Sequence, residues 1–242
     1  MRTANFGISA ILGLGLLAGC SHDKPMQHID NGALVRLNEQ QMRPVDDARI
    51  EEGRARDNVA RAKAAVQDAK AKIDIAKAEK DVAVAQQKRS KAELDLLNQQ
   101  KADLKDIDHA KNDLVTADQR LQAVDRKIDY LNRSVGIAQL EEGVAQQHAA
   151  VTEAAVERAK FQALQAANSN EIRGMNAAVI DQRLAESQAK EAQLRKEAAD
   201  KRVELVDSYN KWQELDAKVR TAPLPLSQEP SQPNMPSQPV NR

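Results

Sequence analysis

The sequence predicts an all-α protein, built as an elongated antiparallel coiled-coil hairpin with a disordered N-terminal tether and a Pro-rich C-terminal tail. Aromatic residues make up only 2% of the 242 residues and charged residues 30%, and an Ala, Glu, Lys, Leu and Arg excess is typical of long helices. Neither glycine nor proline, the two residues that interrupt helices, occurs between Arg54 and Val135. Apolar residues also recur at heptad spacing, as in the series Val59, Ala62, Val66, Ala69, Ile73 and Ala76.

Residues 1–19 have the features of a cleaved secretory signal. Arg2 supplies a positive charge, Ile8 to Leu17 form an apolar core, and small residues follow it. This core is about half the roughly 20 residues that a membrane-spanning helix needs. The segment therefore predicts export rather than a membrane crossing.

The end of this signal, Leu17-Ala18-Gly19-Cys20, resembles the lipobox of bacterial lipoproteins. The resemblance implies that a signal peptidase recognises Leu17, Ala18 and Gly19 and cleaves before Cys20. It also implies that Cys20 carries diacylglycerol and an N-acyl chain, and that Ser21 directs the protein to the outer membrane, facing the periplasm. Several acyl chains anchor a protein stably to a bilayer.

Residues 20–45 are predicted to be a flexible tether, because Pro25, Asp30-Asn31-Gly32 and Pro44 interrupt it. Asp46 and Asp47 then offer an N-cap for the first long helix.

Residues 46–220 are predicted to form the hairpin, with its apex at about 132–136. Asn132, Arg133, Ser134 and Gly136 are the first cluster of turn residues after the long helical stretch, and they are the candidate interaction tip. Folding the chain at Ser134 places many apolar residues opposite one another. The arms would be about 130 Å long at roughly 1.5 Å per residue.

A competing fold turns instead at Asn168-Ser169-Asn170 and brings Tyr130 close to Trp212. It leaves most of the first helix without a partner, so that a further helix or a second chain would have to cover it.

Residues 221–242 are predicted to be a disordered tail. Pro230, Pro233, Pro236 and Pro239 lie three apart, along one edge of a polyproline II helix. The tail is interpreted as a semi-rigid spacer, with docking into an aromatic-lined groove as the alternative.

The sequence offers no catalytic constellation, no metal site and no cofactor other than the covalent lipid. The four histidines lack metal-ligand spacing with one another. Lys and Arg number 36 and Asp and Glu also 36, whereas a nucleic-acid-binding protein shows a basic excess. We therefore expect a protein that is not an enzyme and binds no nucleic acid.

The leading functional hypothesis is an outer-membrane-anchored periplasmic lipoprotein that serves as a structural spacer, scaffold or interaction rod in the cell envelope. Its partners would be the lipid bilayer, through acylated Cys20, and another protein or a second copy along the helices.

Two alternatives stay open. Long hairpins resemble those of periplasmic adaptor proteins of efflux and secretion systems, but this chain keeps only Leu131 of their tip pattern, with Lys127 and Ala138 at the other two positions. The third hypothesis is a periplasmic holdase chaperone, which would need its apolar seam accessible to clients.

Overall fold

A computed structural model describes residues 28–221 as three long helices joined by two short connections. Helix α1 spans Glu39–Gln100, α2 spans Leu104–Ala166 and α3 spans Ala177–Thr221. Short 3₁₀ helices at Asn31–Leu34 and Asn170–Ile172 precede α1 and α3. The predicted all-α, antiparallel class is confirmed. Residues 1–27 and 222–242, which carry the signal, the lipobox and the Pro-rich tail, lie outside the described residues.

The central helix α2 packs against both of its neighbours. Contacts between Lys80 and Asp125 and between Gln87 and Asp118 show that α1 and α2 run antiparallel. Contacts between Arg158 and Asp181 and between Tyr130 and Tyr209 show the same for α2 and α3. The result is a rod whose length is that of α2, about 95 Å for 63 residues.

The predicted apex at 132–136 is wrong. Asn132, Arg133, Ser134 and Gly136 lie in the middle of α2, which continues through them without a break. A single glycine in a helix costs only about 1 kcal/mol relative to alanine. Burial of Leu131 and Ile137 on either side of the cluster opposes that cost. Because the chain does not turn there, the predicted length of about 130 Å is also wrong.

The two real turns are both Schellman motifs, in which one residue adopts the left-handed conformation and its neighbours satisfy the last helical carbonyls. Lys101 has a φ of 52° at the end of α1, and the N–H of Ala102 donates to the Leu97 carbonyl at 3.1 Å. Asn168 has a φ of 51° at the end of α2, and the N–H of Ser169 donates to the Leu164 carbonyl at 2.9 Å.

The competing fold was therefore right about the turn at Asn168-Ser169-Asn170. The first predicted helix then breaks at Lys101, and its N-terminal part, α1, folds back on its C-terminal part. This fold-back supplies the partner that the competing fold lacked. The heptad series from Val59 to Ala76 is confirmed as the α1 seam, since Val66, Ala69, Ile73 and Ala76 are buried.

Helix α1 begins earlier than expected. Asn38, rather than Asp46 or Asp47, is its N-cap: the Asn38 side chain accepts from the Gln41 N–H at 2.9 Å, and the Gln41 side chain accepts from the Asn38 N–H at 3.0 Å. This reciprocal capping box satisfies two of the exposed helical donors. Pro44 is tolerated inside the helix.

Candidate functional site

The end of the rod where α1 begins, α2 ends and α3 begins is the best-packed part of the described chain, and we call it the base. The N-terminal segment of residues 28–37 folds across it, so the expected tether of residues 20–45 is wrong for residues 28–45. Apolar side chains from this segment and all three helices form one cluster: Ile29, Leu34, Val45, Ala159, Phe161, Ala163, Leu164 and Ile180. The three largest fully buried side chains of the described residues, Ile29, Leu164 and Val45, all lie here.

A buried ion pair fastens the N-terminal segment to α2. Lys160 Nζ lies 2.8 Å from Glu157 Oε1, and the two side chains are only 4% and 3% exposed. The Ile29 N–H donates to Glu157 Oε2 at 2.8 Å, and Lys160 Nζ donates to the Ile29 carbonyl oxygen at 3.1 Å. Both backbone groups of Ile29 are thus bonded to charged side chains, and His28 Nδ1 adds a contact to Glu157 Oε1 at 3.1 Å. We call these four residues the latch.

In the latch, each buried charge has the counter-charge that it needs. A buried, unpaired carboxylate or ammonium costs several kcal/mol. Here each charge neutralises the other, and the Ile29 backbone takes up further hydrogen-bonding capacity of both groups. The arrangement binds a chain segment; it leaves no open position at which a substrate would meet Glu157 or Lys160.

The opposite end of the rod, residues 97–107, is the far pole. Leu104, the first residue of α2, is 80% exposed, and Leu96 near the end of α1 is 52% exposed. Helix α3 ends at Thr221, opposite Asp118 of α2 in the register set by the α2–α3 contacts. Within residues 28–221, the last 20 Å or so of the rod therefore consists of α1 and α2 alone.

The residues expected at an interaction tip lie at mid-rod instead. Arg133 Nη1 lies 3.4 Å from Glu204 Oε2 of α3, and both side chains are about half exposed. Asn132 is exposed, and open space surrounds the position where Gly136 would carry a Cβ. These residues serve the α2–α3 contact or face solvent.

Three of the four described aromatic residues meet between α2 and α3. Tyr130 stacks on Trp212 with ring centroids 5.6 Å apart, and Tyr209 packs against both rings at 5.2 and 5.6 Å. Such pairs contribute about 0.5–1.5 kcal/mol beyond the area that they bury. The cluster holds the C-terminal half of α3 on the rod.

Charged groups elsewhere serve packing between helices. Hydrogen bonding and charge from Asp125 raise the pKa of Lys80, and those from Lys201, aided by Arg133, lower the pKa of Glu204. Buried Glu191 of α3 accepts from Arg195 Nε at 2.8 Å and lies 3.3 Å from His148 of α2. The contacts of Lys80 and Glu204 stabilise the charged states of these two groups.

Residues 28–221 hold no group of three or more His, Cys, Asp or Glu side chains arranged to bind a metal. None of the helices in that range combines the length and apolarity that a membrane crossing needs. Comparison with family models, curated proteins and solved structures found no match.

Sequence reasoning missed the latch and the far pole. The signal for the latch was present: Glu157 and Lys160 lie in the stretch from Ala154 to Leu164, of which seven of eleven residues are apolar, and they are three positions apart and hence on one helix face. Arg158, between them, points outward to Asp181. The far pole carried a weaker signal, because neither Lys101 nor its neighbours is glycine or proline.

Proposed function

We propose that this protein is an outer-membrane-anchored periplasmic lipoprotein that acts as a rod-shaped spacer or scaffold in the cell envelope, with its base at the lipid surface and its far pole about 95 Å away. The observation that carries the proposal is the latch. It fixes Ile29, nine residues after the lipobox cysteine, to the base of the rod.

The distance along the chain makes this attachment short. Seven residues separate Cys20 from His28, and a fully extended chain spans at most about 3.6 Å per residue, or about 29 Å over these eight steps. A lipid on Cys20 therefore keeps the base close to the membrane. A buried ion pair and an apolar cluster at the point of attachment suit a joint that transmits the position of the anchor to the rod.

The rod itself suits spacing or bridging better than client binding. The α1 seam is packed against α2 along its length, so a holdase would have to open the rod to expose it. The far pole instead presents Leu104, with Leu96 beside it on α1, at an end that the described residues build from two helices, and an envelope partner could contact the protein there.

The anchor is tested by metabolic labelling of cells with radioactive palmitate. The wild-type protein should incorporate label and accumulate as an uncleaved precursor in globomycin, whereas Cys20→Ala should take up none. Labelling of the Cys20→Ala protein, or cleavage of the wild type that globomycin leaves unchanged, would refute the lipid anchor.

The polarity is tested by site-specific photo-crosslinking in intact cells. A photoreactive residue at Leu104 should give a discrete product with a protein other than this one, and the same residue at mid-rod Asn132 should not. Equal products from both positions would argue against a partner at the far pole.

A further inference from the structure

Helices α1 and α3 leave a long groove between them, with α2 as its floor. Two concavities of about 290 and 550 Å³ lie along it. The second is lined by Ala65, Asp68, Ala69 and Lys72 of α1, Ser134, Ile137, Ala138 and Glu141 of α2, and Arg202, Leu205 and Val206 of α3. The first is lined by Glu79, Val82, Ala83 and Gln86 of α1, Arg120, Ala123, Val124 and Lys127 of α2, and Trp212, Asp216, Val219 and Arg220 of α3.

The two concavities are parts of one groove, and their lining positions repeat after two heptads. Every α1 lining residue of one lies 14 positions after its counterpart in the other, as Val82 follows Asp68. Every α2 lining residue lies 14 positions before its counterpart, as Ala123 precedes Ile137, and on α3 Val219 follows Leu205 by the same step. A groove with this period matches helices that pack at coiled-coil spacing.

The groove is apolar inside and at its middle. Its floor carries Val124 and Ile137, and its α1 rim exposes Ile75 by 61% and Val82 by 69%. Tyr209 lies on the α3 rim at the level of Ile75, where the two concavities meet. Ile75 and Tyr209 line neither concavity but lie between them, and exposed apolar side chains that lie close together indicate an interaction site more than isolated ones do.

Three pairs of charged lining residues are opposite in sign at equivalent distances from this middle, whereas Asp68, Lys127 and Arg220 have uncharged counterparts. On α1, Lys72 and Glu79 are equidistant from the point between Ile75 and Ala76. On α2, Glu141 and Arg120 are equidistant from the point next to Tyr130, and on α3, Arg202 and Asp216 are equidistant from Tyr209. The three midpoints lie at one level of the rod in the register that the interhelical contacts define.

A surface with this pattern is complementary to itself after a two-fold rotation. We propose that a second copy of this chain packs antiparallel over the groove, with the two-fold axis at the level of Ile75 and Tyr209. Lys72 of each copy then faces Glu79 of the other, Arg202 faces Asp216, and the apolar middles meet. An isologous contact requires this kind of self-complementary patch.

Three ion pairs within the chain hold the groove charges in place, and one of them joins Arg220 Nε to Asp216 Oδ2 at 2.8 Å within α3. Lys127 Nζ lies 2.6 Å from Glu79 Oε2 across the α1–α2 contact, and Arg202 Nη2 lies 2.5 Å from Glu141 Oε1 across the α2–α3 contact. The opposite ends of the groove thus present different, fixed charge arrangements to an incoming copy.

A parallel pairing fits the same residues less well. It sets α1 of one copy against α3 of the other at the same level. Asp68 would then meet Arg202 favourably, but Lys72 would face Val206 and Asp216 would face Val82. In the antiparallel pairing Asp68 faces Ala83, but Lys72 and Asp216 both gain oppositely charged partners. Charged side chains opposite apolar ones lose hydration without gaining a partner.

The small area of the groove indicates a weak pairing. A groove about 30 Å long and 20 Å across covers roughly 600 Å² per copy, below the ~800 Å² per partner of a standard stable interface. We therefore expect dimers that are weak in dilute solution and favoured where copies are concentrated. The two bases lie at opposite poles of such a pair, about 110 Å apart. A pair with both copies anchored in one membrane therefore lies along that membrane, whereas a single copy can hold its far pole away from it.

The test is disulfide trapping in intact cells with full-length chains that carry single introduced cysteines, the wild-type chain serving as the background for Cys20. Tyr209→Cys should link to itself. When two differently tagged copies are co-expressed, Lys72→Cys should link to Glu79→Cys. Asp74→Cys, exposed on the α1 face away from the groove, is the matched control and should give no more dimer than the wild type.

The outcomes separate the occupants of the groove. Links between Ile75→Cys and Tyr209→Cys without a link between Lys72→Cys and Glu79→Cys would establish the parallel pairing and overturn the proposal. Products with a different protein, or dimers no stronger than those of Asp74→Cys, would also overturn it. The pairing does not require the lipid anchor, so palmitate labelling can succeed or fail independently of it.

Discussion

At the scale of single residues, the latch is the most demanding feature of the chain. Lys160 and Glu157 are almost completely buried, and a buried charge is tolerated only with a partner. Their cost is offset because the pair also bonds both backbone groups of Ile29. The ion pair within α2 thus also holds a separate segment of the chain against that helix.

Lys160→Met should release that segment. The change leaves Glu157 buried without its counter-charge, which costs about 3–5 kcal/mol. In native-state hydrogen exchange, the Ile29 amide should lose most of its protection, while amides near Leu131 stay protected. Lys196→Met, at an exposed position of α3, is the control and should change neither. Unaltered protection at Ile29 in the Lys160→Met protein would mean that the ion pair does not hold the segment.

Gly136 gives a single-residue test of where the chain turns. It lies inside α2 with a helical φ, and no atom lies within 4 Å of the point where a Cβ would stand. Gly136→Ala should therefore stabilise the protein by up to about 1 kcal/mol, measured by urea unfolding.

The matched control is Gly174→Ala, because Gly174 has a φ of +87° that alanine adopts only with strain. This variant should be less stable than the wild type. A destabilised Gly136→Ala protein would instead indicate a turn at 132–136.

At the scale of elements, the helical segments and the turn at Asn168 could be predicted from the sequence, and the turn at Lys101 could not. The α1 seam could be identified because heptad spacing persists from Val59 to Ala76. The register could not, because two heptad stripes match again after every shift of seven residues. The chain turns at Lys101 and Asn168, two non-glycine residues in the left-handed conformation, whereas the cluster with the stronger turn composition, Asn132 to Gly136, is helical.

Lys101→Gly should stabilise the α1–α2 connection. A left-handed conformation costs a residue with a Cβ about 1–2 kcal/mol, and glycine avoids this cost. The greater freedom of glycine in the unfolded chain offsets part of the resulting gain in stability. We expect a gain of about 0.5–1 kcal/mol in urea unfolding. The control Lys105→Gly, inside α2, should lose a similar amount, and a loss at both positions would place Lys101 within a continuous helix.

The aromatic cluster determines whether α3 stays docked. Trp212 is the only tryptophan in the sequence, so its fluorescence reports on this cluster alone. Tyr130→Ala removes the ring stacked on Trp212, and it should shift the emission to longer wavelength and increase quenching by acrylamide. Asp129→Ala, one residue away and exposed, should leave the emission and the quenching unchanged. Equal effects of the two substitutions would mean that Tyr130 does not pack against Trp212.

At the scale of the whole molecule, the third helix changes the position of both ends. A single hairpin would have placed the membrane-proximal segment and the C-terminal tail at one end. In the three-helix rod, α1 starts at the base, while α3 ends about 70 Å further along, opposite Asp118. Of the part of the chain that the structure describes, the far pole at residues 97–107, and not Asn132 to Gly136, is the surface most distant from the base.

The most direct test of this arrangement is the distance between spin labels at Asn112 and Glu153, measured by pulsed electron resonance in a Cys20→Ala background. Both positions are exposed. In the three-helix rod they lie far apart on the same continuous helix, and the distance should be about 60 Å. In a hairpin folded at Ser134 they would lie on facing arms. A distribution centred below about 20 Å would contradict the rod, its base and its far pole together.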